Sequence, residues 1–115
     1  MTGAPIPINP KHLTAEEKSA DESVRKNISE LKPESGLVFG TVQLVNGVLY
    51  KFIYANTKVG ILSVTIFDIP WENFREITYE DRFGKKVSIV TNIYNGQKGF
   101  AFGQKVPIDV NNLTP

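Results

Sequence analysis

Two periodicities divide this chain. Ala20, Val24, Ile28 and Leu31 recur at helical spacing and form one apolar stripe, whereas the residues after Gly36 follow the period of a pleated strand. Thr14 is placed to cap the helix, and Glu17, three residues on, completes a capping box. Asp21 with Arg25, and Glu22 with Lys26, stand four apart in the favourable acid-first order. Pro33 and Gly36 supply the stop, so the pattern predicts a helix over about residues 15–31.

Strand-like segments follow in close succession. Leu37 to Val45 is β-rich and partly apolar on both sides. Val48, Tyr50, Phe52 and Tyr54 then alternate with Leu49, Lys51 and Ile53. Asn46-Gly47 between them is a hairpin signal, since both residues tolerate the positive φ of a type I′ turn. Asn56-Thr57-Lys58 predicts a second turn, and Val59 to Ile69 a long strand. Pro70 ends it, because proline cannot donate to a sheet ladder. Phe74 to Arg82 alternates more weakly; Gly84 punctuates, and Val87, Ile89 and Thr91 resume the pattern. Asn95-Gly96 marks a further hairpin before Phe100-Ala101-Phe102, and Val106 to Pro115 reads as irregular.

A helix followed by a meander of strands implies an α+β domain, with one N-terminal helix packed on a curved antiparallel sheet. The helix stripe needs an apolar partner, and one sheet face is the large surface on offer. Lys51, Ser63 and Thr65 belong to the opposite face. With 115 residues, 41% of them hydrophobic and 22% charged, a single domain spanning 1–115 is expected. Residues 1–13 contain Pro5, Pro7 and Pro10 and read as an extended, mobile arm. Residues 83–115 read as extra or divergent C-terminal strands.

The most informative chemistry lies at two strand ends. Gln43-Leu44-Val45-Asn46-Gly47 joins two strands, and Pro70-Trp71 leaves a third. Both would carry apolar side chains at loop tips, with the single tryptophan exposed at the second. Together with Gly3 in an arm ahead of the helix, these motifs resemble the cystatin family, in the style of the single-domain, disulfide-free stefins. The first motif fits the family's Gln-x-Val-x-Gly hairpin, and Pro70-Trp71 fits the second-hairpin pair of the secreted branch. The resemblance covers residues 3–82. Asn46 departs from it, standing where the family usually has a small apolar residue, and so does the strand-like sequence beyond Phe83.

The resemblance implies a reversible, tight-binding inhibitor of papain-like cysteine proteases rather than an enzyme. Gly3 would lie in the non-primed subsites, and Gln43, Leu44, Val45, Asn46 and Gly47 would plug the cleft. Pro70 and Trp71 would cover the primed side. It further implies a monomer in which hairpin exchange could form a dimer. The alternative reading is a non-inhibitory binding or scaffolding module on the same fold. A third is a cone-shaped ligand-binding or enzyme domain.

Composition narrows the remaining possibilities. A net charge of +1 gives no general attraction to nucleic acid or an anionic membrane. The longest apolar run is too short to span a bilayer, and residues 1–13 lack a signal peptide's apolar core. The expected location is cytoplasmic, or secreted after processing. The absence of cysteine removes disulfides, a cysteine nucleophile and thiolate metal sites. His12 is the only histidine and has no evident partner, so neither a catalytic set nor a metal or cofactor is expected. Asn27-Ile28-Ser29 and Asn112-Leu113-Thr114 match the glycosylation sequon, a pattern short enough to arise by chance.

Overall fold

A computed structural model describes residues 3–31, 35–56 and 60–94. Among these residues six strands pair antiparallel in simple sequence order: β1 (Ile6–Pro7), β2 (Gly36–Val45), β3 (Gly47–Asn56), β4 (Gly60–Ile69), β5 (Phe74–Glu80) and β6 (Lys86–Thr91). One helix, α1 (Ala15–Asn27), joins β1 to β2 and packs on the sheet. The expected α+β arrangement is therefore present. No helix among the described residues is long and apolar enough to cross a membrane. The Asn95-Gly96 hairpin, Phe100–Phe102 and Val106–Pro115 lie outside the described residues, as does most of the Asn56–Lys58 turn.

The core forms where the helical stripe meets one parity of the strands. Ala20, Val24 and Ile28 are fully buried against Phe52, Tyr54, Val64, Ile66 and Ile77. Lys51 pairs with Thr65 on the other face, as the alternation predicts. In β2 the simple alternation fails, because the register shifts between Leu37 and Phe39. Leu37 pairs with Tyr54 on the core side, whereas Phe39 pairs with outward-facing Ile53. A bulge at Val38 inserts one residue and swaps the facing, which explains why β2 looks apolar on both sides.

α1 begins as its sequence dictates. The Thr14 hydroxyl accepts from the Glu17 amide at 3.1 Å, and the Thr14 amide donates to the Glu17 carboxylate at 2.9 Å. Its end differs from the predicted residue 31. Ile28 is already extended (φ −114°, ψ 105°), and a turn follows in which the Leu31 amide donates to the Ile28 carbonyl. Asn27 and β-branched Ile28 are weak helix formers, and leaving the helix here still buries both Ile28 and Leu31. Packing overrides the continued periodicity.

The N-terminal segment also differs from a loose arm. Ile6 and Pro7 pair with Val42 and Thr41, and the Ile8 amide donates to the Gly40 carbonyl at 3.0 Å. A Cβ at Gly40 would lie 2.9 Å from both Ile8 Cδ1 and Phe52 Cδ1. The missing side chain thus leaves room for Ile8 to pack against the core cluster.

A polar tie on the flank of α1 supplements the apolar contacts. The Tyr54 hydroxyl donates to Asp21 at 2.7 Å, and Arg25 Nε donates to both Asp21 oxygens at 3.1 Å. Arg25 Nη1 also reaches the Ser35 carbonyl at 2.8 Å. Burial pushes the Tyr54 phenol well above its ordinary range, helped by this bond to Asp21. The Tyr50 phenol is pushed up to about 12, first by burial and then by the negative charge of Asp68.

A pH dependence follows with a definite sign. The unfolded chain loses these phenol protons near pH 10, while the folded chain holds them longer. Stability is therefore fully present below pH 10 and falls as the pH rises through the raised folded values. Urea titrations should show a flat unfolding free energy up to about pH 9.5, then a loss of about 1.4 kcal/mol per pH unit for each such phenol. Replacing Tyr50 and Tyr54 with phenylalanine should flatten that decline. A decline of unchanged steepness in the double variant would refute the assignment.

Candidate functional site

The antiparallel meander determines which loops are neighbours. Val45 pairs with Gly47 across the β2–β3 bend, and Val48 pairs with Asp68 near the end of β4. The β2–β3 and β4–β5 bends therefore emerge at the same end of the sheet. Their centres are two strand spacings apart, about 10 Å. β1 lies on the far side of β2, so the arm reaches the same end.

The first bend is tighter than the type I′ turn expected for Asn46-Gly47. Asn46 alone separates the paired residues, and positive φ is confined to Gly47, at 136°. Gly47 is buried, and a Cβ there would lie 2.5 Å from the Asp68 carbonyl oxygen. The Phe67 ring would be 3.0 Å away. Glycine is needed here for both conformation and space.

Any side chain at position 47 would force the first bend away from β4. We expect Gly47→Ala alone to cost roughly 1–3 kcal/mol of stability. Denaturation of the variant checks this, and a midpoint equal to that of the parent would contradict the observed backbone.

The arm is fastened to this bend at both polar groups of one residue. The Gly3 amide donates to the Leu44 carbonyl at 2.8 Å. The Gly3 carbonyl accepts from Gln43 Nε2, also at 2.8 Å. Gln43 is half-buried and faces the arm; Leu44 is 64% exposed, and Asn46 is open to solvent. Val45 is half-buried.

The second bend is a short 3-10 turn, Pro70–Glu72, opened by proline at its first position. Asn73 closes it with φ 52°, a left-handed conformation that asparagine adopts more readily than most residues. The Asn73 amide donates to the Pro70 carbonyl at 3.1 Å. Asn73 is held from the segment after β6 as well: its side-chain oxygen accepts from the Tyr94 amide at 2.8 Å, and its carbonyl accepts from Asn92 Nδ2 at 3.1 Å. Pro70 is half-buried, whereas Trp71 is 67% exposed. The indole thus stands at the tip, as its position after Pro70 predicts.

Gly3, Gln43–Gly47 and Pro70–Trp71 therefore form one ridge, in the order arm, first bend, second bend. It spans the sheet from β1 to β5, four strand spacings or about 19 Å. Within these segments, the exposed side chains of Leu44 and Trp71 are apolar and that of Asn46 is neutral. None of these segments carries a nucleophile paired with a base, so the ridge is suited to recognition by shape and apolar contact.

Sequence reasoning missed the buried support beneath the bends. Asp68 and Arg75, directly paired across β4 and β5, are 3% and 1% exposed. Arg75 Nε and Nη2 donate to the two Asp68 oxygens at 2.8 Å each. Arg75 Nη1 reaches the Ser23 hydroxyl at 2.7 Å and the Ser19 carbonyl at 3.1 Å on α1. The available signal was parity: Asp68 is in phase with Val64 and Ile66, and Arg75 with Ile77 and Tyr79.

Comparison with known proteins adds no identity to this geometry. No family model matches the chain, nor does any curated protein or solved structure.

Proposed function

We propose that this protein is a reversible inhibitor of papain-like cysteine proteases, built on a cystatin-like fold and blocking the active-site cleft with the ridge. The observation that carries this reading is the alignment of Gly3, the Gln43–Gly47 bend and Pro70–Trp71 along one end of the sheet. A cleft enzyme that binds an extended substrate presents a groove, and a partly apolar ridge about 19 Å long complements such a groove.

The mechanism is occlusion without chemistry. Gly3 brings bare backbone toward the non-primed side, where the absence of a Cβ permits close approach. Leu44 and Asn46 enter the centre of the cleft. Trp71 covers the primed side and supplies a large, rigid anchor. Two hydrogen bonds at Gly3 and the clip on Asn73 order the ridge before docking, so little conformational freedom is lost on binding. The sharp bend at Asn46 offers no extended peptide for attack across a catalytic cysteine.

Titration against papain and a lysosomal cathepsin tests the proposal. Stoichiometric loss of peptidase activity, reversed on dilution, is the expected result. Removal of residues 1–4 should weaken inhibition while keeping Ile8 in the core; deletion of 1–13 would remove β1 as well. Full protease activity at micromolar concentrations of the folded chain would overturn the reading. Protease capture without inhibition would favour a scaffolding module instead.

A further inference from the structure

We propose that Asp68 and Arg75 form a positioning pair that sets the spacing and orientation of the two bends. The proposal deepens the protease-binding reading and rests on it for its functional consequence. Its structural content stands on contacts alone.

Asp68 touches both halves of the ridge. Its main-chain carbonyl borders Gly47 in the first bend, at the position where a Cβ would be 2.5 Å away. Its carboxylate holds Arg75, the second residue after the β4–β5 bend. The bend and the Ile69–Phe74 pair at its base are thus flanked by a bidentate ion pair. The same guanidinium donates to the Ser23 hydroxyl at 2.7 Å and to the Ser19 carbonyl and hydroxyl at 3.1 and 3.3 Å. The pair therefore ties both ends of the second bend to the helix behind them, while the Asp68 main chain lies against the first bend.

Stability alone does not account for a charged pair at this position. Removing two charges from water offsets much of their attraction, and apolar residues of similar volume often serve as well or better. Direction is what an apolar pair lacks. The planar guanidinium fork fixes both distance and angle to the carboxylate, and its remaining nitrogen fixes the sheet against the helix. Leucine opposite methionine would fill the volume but release this hold on the β4–β5 bend, leaving the Ile69–Phe74 pairing and the contacts at Asn73 to restrain it. Trp71, at the tip of that bend, would translate most.

The test uses a natural advantage of the chain, its lack of cysteine. Asn46→Cys and Glu72→Cys carry spin labels on the exposed tips of the two bends, and pulsed electron resonance reads their separation without a protease. A single narrow distance distribution is expected in the parent background. Combining Asp68→Leu with Arg75→Met, in a chain shown to be folded by circular dichroism, should broaden that distribution at least about twofold. Without labels, the same double variant should inhibit papain about tenfold more weakly. Adding Trp71→Ala to it should cost less than adding Trp71→Ala to the parent, the signature of coupled sites. If the apolar pair prevents folding, Arg75→Lys keeps a cation opposite Asp68 but removes the planar two-pronged contact; broadening is again expected.

An unchanged distribution in the folded variant used would overturn the positioning role, whatever happens to inhibition. Loss of the inhibition reading looks different. In that case the parent fails against every papain-like protease, while the broadening persists.

Discussion

Arg75→Met on its own should lower the unfolding free energy by about 3–5 kcal/mol, because it leaves the Asp68 carboxylate buried without its counter-charge. The substitution keeps most of the side-chain volume, so packing contributes little of the loss. Two charge-assisted bonds disappear together with the donations to Ser19 and Ser23. A stability of 5–15 kcal/mol is typical of such domains, so one substitution would consume a large part of it. The measurement is a urea titration at neutral pH, in which the midpoint falls sharply. Adding Asp68→Leu should restore most of the loss by removing the stranded charge. If Arg75→Met is as stable as the parent, or Asp68→Leu makes matters worse, the pair is not desolvated as described.

The same pair marks the limit of what the sequence reveals. Strand parity is local, and it correctly set Tyr50, Phe52 and Tyr54 against Lys51 and Ile53. The same parity turns Asp68 and Arg75 inward, a signal passed over because buried positions were sought among apolar side chains. Their partnership requires the β4–β5 register, and Ser19 and Ser23 lie more than fifty residues from Arg75. No local pattern carries that information. The helix start was legible because a capping box spans only four residues. Its end was not, because Leu31 reaches the core through a turn and so mimics another helical position. The Val38 bulge hid the facing of β2 for a similar reason: one inserted residue reverses parity without any change in composition. In the candidate site, the motifs at Gln43–Gly47 and Pro70–Trp71 were visible as residues. The fastening of Gly3 to Leu44 and Gln43 depends on a contact across forty residues.

Trp71→Ala is expected to weaken inhibition of a papain-like protease by about 30- to 1000-fold, corresponding to about 2–4 kcal/mol for a large aromatic anchor. Its effect on stability should stay within about 0.5 kcal/mol, because the indole is exposed and no core side chain loses its packing. This separation distinguishes a recognition residue from a structural one: Arg75→Met acts first on the denaturation midpoint, Trp71→Ala on the inhibition constant. Leu44→Ala should behave like Trp71→Ala but with a smaller loss, since a leucine removes less area from water than an indole. Paired titrations of activity and of unfolding, run on the same preparations, read both quantities. Unchanged inhibition by folded Trp71→Ala would remove the second bend from the interface. A large loss of stability would instead mean that the indole is packed against the domain, and the ridge would then lack the anchor on its primed side.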